Sequence, residues 1–379
     1  MKLIHLSDIH LGKRVNEFSM LEDQAHILKK ILAVVDEEKP DGVLIAGDVY
    51  DKSVPSTEAV QLFDDFLVRL AKRKLPVFII SGNHDSPERL SFANRLIDAV
   101  GIHLAPVYNG VVEPITLSDE YGPVNVYMLP FIKPAHVRGF FPDTEITSYS
   151  DAVAAAIGRM NIDKTQRNVL ITHQFVTGAQ RSDSEELSVG GTDNIGAEVF
   201  CDFDYVALGH IHGPQNMDSG RIRYCGSPLK YSFSEAAQQK SVTVAELKEK
   251  GTLEIHTVPL IPRRDMVELK GSYQQLTLRE FYENTTYQED YTHITLTDEE
   301  DIPDAVAKLR AVYHNLMKLD YDNTRTRHSA AISGAENVET RSPIDLFAEF
   351  YELQNGLPMS AEQTELVASL IEKIWEGEE

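Results

Sequence analysis

An α/β fold of two facing sheets with outer helices is what this sequence predicts for most of its length, ahead of a small α/β unit and a closing pair of helices. Three observations carry that expectation. Apolar runs of strand length alternate with helical stripes twice before residue 81, and such crossovers make parallel strands. Later, Arg221–Tyr224, Ser241–Leu247 and Leu253–Val258 read as antiparallel strands closing a second sheet. Polar Asp, Asn and His residues directly follow five of the apolar runs, at strand ends where open α/β sheets bind ligands.

The first run, Leu3-Ile4-His5-Leu6, is short and strand-like. Glu17 to Glu38 then carries Leu21, Ala25, Leu28, Ile31, Leu32 and Val35 at helical spacing. A turn at Pro40-Asp41-Gly42 precedes Val43-Leu44-Ile45-Ala46, apolar throughout as a parallel strand buried on both faces requires. Pro55 to Lys74 repeats the helix, with Leu62, Phe63, Phe66, Leu67 and Leu70 inward and Lys72-Arg73-Lys74 where cations suit the helix dipole. Pro76 to Ile80 is the next strand. Between Ile102 and Tyr149 short strands and loops are expected, broken at Pro130 and Pro134, before a helix over about Tyr149–Met160 and a strand at Val169–Thr172. Gln174 to Gly196 is polar and Gly-rich, either a mobile segment beside a functional site or a plain linker. Tyr205–Leu208 is the last of the five ligand-bearing strands.

Two prolines and Arg263-Arg264 between Pro259 and Arg264 end the first domain, so the expected division is 1–264, 265–341 and 342–379. Thr292–Leu296, Ile302–Leu316 and Lys318–Tyr321 form a strand, a helix and a strand, and Thr324–Thr340 is a polar linker. Ser342-Pro343-Ile344-Asp345 and Ser360-Ala361-Glu362-Gln363 are helix starts, and Asn355-Gly356 stops the first helix. The second helix lines up Leu366, Val367, Leu370, Ile371, Ile374 and Trp375 on one face, which suits a partner's helices or its own domain.

The five runs lead into Ser7-Asp8-Ile9-His10, Gly47-Asp48-Val49-Tyr50-Asp51, Gly82-Asn83-His84-Asp85, His173 and Gly209-His210-Ile211-His212. If the strands continued, Asp8 with His10 and His210 with His212 would face the same side. Carboxylates suit hard six-coordinate ions, yet His10, His173, His210 and His212 are too many imidazoles for magnesium alone. The set therefore favours manganese or a similar ion. Eight other histidines, among them His5, His26, His103 and His256, fit no motif and read as structural or surface residues.

The formal net charge of −23 speaks against a broad nucleic-acid-binding face. Its distribution matters: residues 1–264 hold 35 acids against 27 Lys and Arg, whereas residues 265–379 hold 24 against 9. Bound divalent ions would offset part of the first group. A phosphate backbone would be held by a few side chains, with Lys13 and Arg14 after the first motif and Lys52 after the second as candidates. Cys201 and Cys225 have no CxxC partner, read as small buried hydrophobes, and suit a reducing cytoplasm. No apolar stretch approaches the ~18 residues of a membrane span, and no secretory leader is expected before the first motif.

The order Asp-x-His, Gly-Asp-x-x-Asp, Gly-Asn-His-Asp, His, Gly-His-x-His resembles the motif series of the calcineurin-like metallophosphoesterases. The resemblance implies the two-sheet sandwich of that superfamily with two metal ions. Asp8, His10 and His212 would hold one, Asn83, His173 and His210 the other, and Asp48 both. His84 would protonate the leaving oxygen, with the Asp51 carboxylate pairing with it. Ser7 to Gly12, Tyr224-Cys225-Gly226-Ser227-Pro228-Leu229 and Ser232-Phe233-Ser234-Glu235 look further like the SbcD family, nuclease subunits that cut DNA ends and hairpins in repair and recombination. That likeness covers most of the chain and implies a capping domain at 265–341. It also implies an SMC-like ATPase of the SbcC type docked on residues 342–379, and a possible homodimer within a heterotetramer. A stand-alone phosphodiesterase for small nucleotides and a non-catalytic DNA-tethering subunit are the competing readings.

Overall fold

Apolar runs without alternation become strands covered on both faces, because each side chain they offer must leave water. Lys2–Leu6, Gly42–Ala46, Val77–Ile80 and Ile102–Ala105 pair in parallel in the computed structural model of the protein, which describes residues 1–91, 98–185, 194–327, 343–355 and 358–376. Ser241–Leu247 adds antiparallel to Lys2–Leu6, and Leu253–Pro259 adds antiparallel to that, completing one six-stranded sheet. A second six-stranded sheet runs in the order Gln215–Met217, Ile222–Tyr224, Tyr205–Gly209, Arg167–His173, Gly122–Leu129, Ile115–Asp119, parallel through its four central strands.

Two of the late strands therefore do not close the second sheet as expected. Ser241–Leu247 and Leu253–Pro259 belong to the first, and Ile222–Tyr224 is antiparallel to Gln215–Met217 as expected but parallel to Tyr205–Gly209. Local pattern specifies a strand, whereas its partner depends on which edge remains open once the crossovers are made. Val244 lies opposite Ile4 and both are fully buried, so the returning chain covers the edge of the first strand.

The sheets share a core of Leu3, Leu44 and Phe78 with Val126, Ile171, Tyr205 and Ala207. His5 is structural, its Nδ1 2.8 Å from the Tyr205 hydroxyl in that layer. The helix expected from Glu17 starts at Leu21, because Arg14–Val15 and Phe18–Ser19 pair as a short hairpin with positive φ at Asn16 and Glu17. The next helix, Thr57–Ala71, is capped by Ser56, whose Oγ accepts from Ala59 N at 3.2 Å. Arg73, in the basic cluster behind it, makes a two-pronged pair with Asp36 at 2.7 Å. Cys225 is buried as expected, but Cys201 is exposed.

The chain divides into compact units Met1–Met266 and Val267–Glu379. In the second, Met266–Gly271, Tyr291–Leu296 and Asn315–Tyr321 form a three-stranded sheet around Leu269, Leu276, Ile294, Leu309 and Tyr313. Its helix is Ala305–Arg310 and not Ile302–Leu316, since residues from Asn315 are drawn into the sheet. Pro343–Asn355 and Ala361–Glu376 are helices, and Gln363 of the latter donates to the Tyr351 hydroxyl at 2.9 Å. Most of the expected linker, at 328–340, and the side chains of Ile374 and Trp375 lie outside the described residues. Among the described residues no helix is long and apolar enough to cross a membrane.

Candidate metal centre

All five motifs meet at one end of the two sheets, His173 as the last residue of the strand Arg167–His173 and the others at or just beyond the C-terminal ends of Lys2–Leu6, Gly42–Ala46, Val77–Ile80 and Tyr205–Gly209. Apart from His173, the strands do not continue through them. Asp8, His10, Asp48 and His210 have φ of 52°, 46°, 49° and 98°, so the residues converge through left-handed turns and not through strand alternation. Such conformations cost of order 1–3 kcal/mol each and persist where surrounding contacts over-determine them. Here Asp8 N donates to Gly47 O (3.1 Å), His10 N to Asp48 O (3.0 Å) and His210 N to the Asp8 carboxylate (3.0 Å).

Asp48 is central. Its Oδ2 lies 3.4 Å from His173 Nε2, 3.6 Å from His10 Nε2 and 3.9 Å from His84 Nε2, while its Oδ1 accepts from His84 N at 2.9 Å. Asn83 Oδ1 is 3.0 Å from both His173 Nε2 and His210 Nδ1, and His10 Nε2 is 3.1 Å from His212 Nε2. His173 Nδ1 donates to Ala46 O at 2.8 Å, which leaves Nε2 for the site.

Three groups of donor atoms fall within 4.8 Å of one another: Asp8, His10 and His212; Asp8, Asp48 and His173; His10, Asp48 and His84. The donors fit divalent ions. Two buried carboxylates and imidazole nitrogens facing each other are costly without a cation between them, and the buried His10 Nδ1 has no hydrogen-bond partner. Burial holds His10 well below its ordinary range and pushes His210 down to about 3, the neutral form that ligates metal. Burial opposes charge on His173 too, but the Asp48 and Asp8 carboxylates outweigh it and push it up to about 9. Asp48 is held well below the carboxylate range because His173, His10 and His84 overcome its own burial.

Asp51 is arranged differently from the expectation. Its carboxylate pairs with Lys13 Nζ at 2.7 Å, and it is the Asp51 carbonyl that lies 3.0 Å from His84 Nδ1. The ammonium captures the carboxylate, leaving the backbone to orient the imidazole. Lys13 thus sits at the site, also 5.6 Å over the Tyr231 ring. Arg14 and Lys52 are exposed, with Arg14 donating to the Glu17 carbonyl.

Several supporting residues escaped the sequence reading. Asp85 accepts from Gly82 N (2.9 Å), Tyr50 N (2.9 Å) and Val49 N (3.2 Å), so one buried carboxylate ties two motif loops together. Burial and nearby Asp48 push it up to about 6 against those three donors. Its place in Gly-Asn-His-Asp was the available signal. Gln24 donates to His10 O at 2.7 Å and accepts from Gly12 N at 3.0 Å, a polar residue on a helix face that periodicity alone does not single out. The segment 186–193 of the Gly-rich loop lies outside the described residues.

The family model of the calcineurin-like phosphoesterases matches residues 1–214, and that of the type 5 capsule protein repressor C-terminal domain matches residues 262–355. The SbcD subunit of the SbcCD nuclease of Staphylococcus epidermidis is 32% identical over 382 residues, covering 100% of both chains. Its counterpart in Staphylococcus saprophyticus is 32% identical over 99% of each. The chain belongs to the SbcD family. As an SbcD-family member it is a phosphoesterase of the nuclease type, with metal binding implied by its domain. The crystal structure of TT1561 of Thermus thermophilus aligns at a TM-score of 0.36 and 12% identity over 68% of this chain and 98% of that one, too loosely to bear on the fold.

Proposed function

We propose that this SbcD-family protein is the nuclease subunit of a DNA-processing complex, hydrolysing phosphodiesters at double-stranded ends and hairpins with two manganese ions. The observation that carries the reading is the convergence on Asp48, whose Oδ2 is within 3.9 Å of three imidazoles in a site that also holds Asp8 and Asn83. Asp8, His10 and His212 would hold one ion and Asn83, His173 and His210 the other, with Asp48 available to both. Two such ions would supply the positive charge that clamps a phosphate and acidifies an attacking water.

His84 gives the leaving oxygen its proton from Nε2, while its Nδ1 is oriented by the Asp51 carbonyl at 3.0 Å. Asp51 acts through Lys13, keeping that ammonium beside the site. Lys13, Arg14 and Lys52 contact the DNA backbone. The partner is an SbcC-type, SMC-like ATPase held by residues 342–379, in support of which Phe347, Phe350, Leu366 and Leu370 are 42–60% exposed. The assembly is cytoplasmic and contains two copies of each chain.

Labelled duplex DNA, incubated with manganese with and without the ATPase, tests this. Cleavage stimulated by the partner is expected. Hydrolysis of a small diester without attack on duplex would instead favour the stand-alone phosphodiesterase, and binding without cleavage the tethering role.

A further inference from the structure

His212 is held at every polar atom outside its metal-facing nitrogen by residues that none of the five motifs contains. Its backbone N–H donates to Glu185 Oε1 at 2.6 Å and its carbonyl accepts from Lys240 Nζ at 2.8 Å. Its ring Nδ1 lies 2.6 Å from Ser184 Oγ, and that hydroxyl lies 2.5 Å from Glu235 Oε1. Glu235 is fully buried, and its Oε2 pairs with Lys240 Nζ at 2.5 Å. Lys240 also donates to Ser227 Oγ at 3.0 Å and Gln238 Oε1 at 2.8 Å.

Counting protons settles the direction of the chain. A carboxylate paired with a buried ammonium only accepts, and Glu235 Oε1 at 2.5 Å is a closer and charged acceptor for the single Ser184 hydroxyl proton than Ser182 Oγ at 2.9 Å, so that proton goes to Glu235. The Ser184 oxygen must then accept from the ring. Nδ1 of His212 therefore carries hydrogen, and Nε2 presents a lone pair toward His10 Nε2, 3.1 Å away, and the Asp8 group.

We propose that Ser184 and Glu235 are a positioning pair that sets the tautomer and ring orientation of His212, and through them the strength of the metal site His212 shares with Asp8 and His10. The inference rests on His212 being a metal ligand. Outer carboxylates commonly orient ligating histidines directly; here Glu235 Oε1 is 3.5 Å from His212 Nδ1, and the Ser184 hydroxyl, from the Gly-rich loop, makes the closer contact at 2.6 Å. Asp183 N in the same loop donates to Ser234 Oγ at 3.0 Å, so loop and Glu235 segment form one support.

The full-length protein titrated with Mn²⁺ by calorimetry, together with ¹⁵N-histidine spectra of metal-free and Zn²⁺-loaded samples, tests the pair. Ser184→Ala is expected to weaken one of two ions by about 10–100-fold and to take His212 out of its Nδ1–H form. Ser184→Thr, which keeps the hydroxyl, restores both. Glu235→Gln frees the Ser184 proton and yields a mixture of His212 tautomers; a wild-type spectrum there overturns the role of Glu235. Unchanged affinity for both ions with wild-type His212 resonances in Ser184→Ala overturns the proposal as a whole. His212→Ala examines the underlying reading separately: if two ions still bind as in the wild type, His212 is no ligand whatever Ser184 does.

Discussion

Asp48 and His84 touch, with His84 N donating to Asp48 Oδ1 at 2.9 Å, yet their proposed roles predict different losses. His84→Ala should lower cleavage by ~10²–10⁴-fold, the usual cost of a general acid, while both ions remain bound in native mass spectrometry. Because His84 also lies within 4.8 Å of donors from His10 and Asp48, loss of an ion in that variant would make it a ligand instead. Gly82 shows how tightly the motif glycines fit. A Cβ there would lie 2.1 Å from Asp48 Oδ1 and 2.5 Å from Asp48 N, and one at Gly209 would lie 2.0 Å from Ala46 O. Gly82→Ala should therefore cost about 1–3 kcal/mol in urea unfolding and weaken metal binding together. A variant that kept wild-type stability and metal content would contradict this packing. For the exposed Arg14 and Lys52, charge removal should flatten the salt dependence of DNA binding by about one unit per contact, measured by fluorescence anisotropy.

At the scale of elements, the helix Tyr149–Gly158 illustrates a pH-dependent terminus. Ser148 Oγ accepts from Asp151 N at 3.1 Å, and the Asp151 carboxylate accepts from Ser148 N (2.9 Å), Thr147 N (3.1 Å) and Thr147 Oγ1 (3.0 Å). These donors pull Asp151 from 3.8 down to about 2. A depressed carboxylate stabilises the fold above its unfolded value and loses that contribution as pH falls through its folded value. Asp151→Ala should thus cost about 1 kcal/mol near neutrality, as capping losses do, and the deficit should shrink between pH 3.8 and about 2. A deficit in urea titrations that does not change over that window would remove the carboxylate from the account. Helix starts of this kind are readable locally. Without such a cap both limits moved: Ile302–Leu316 shortened to Ala305–Arg310, the residues from Asn315 belonging to a strand and those between to turns.

For the whole molecule, the units Met1–Met266 and Val267–Glu379 carry separate tasks in our reading, with a capping part to about residue 341 and a docking part beyond. The described part of the core of the second unit is drawn from residues 267–321, without the last two helices. Deleting residues 342–379 should consequently leave a folded, metal-binding phosphoesterase that no longer co-purifies with the ATPase. A truncated chain that still forms the complex, or that cannot fold, defeats the docking role.

The sequence by itself located the strand ends in the first domain where Asp, Asn and His side chains come together, because short apolar runs followed by such residues are local patterns. Family resemblance then added roles residue by residue. Which strands joined which sheet, and how the motifs turned inward, depended on contacts between distant residues. Val244 pairs with Ile4 across about 240 residues of chain, and the left-handed turns at Asp8, His10 and Asp48 are held by hydrogen bonds between separate motif loops. The same holds for Asp85, bound to Tyr50 N, and for Gln24, Ser184 and Glu235: each works through a partner far away in sequence or hidden in a loop, so its role emerged only when tertiary packing brought the two together.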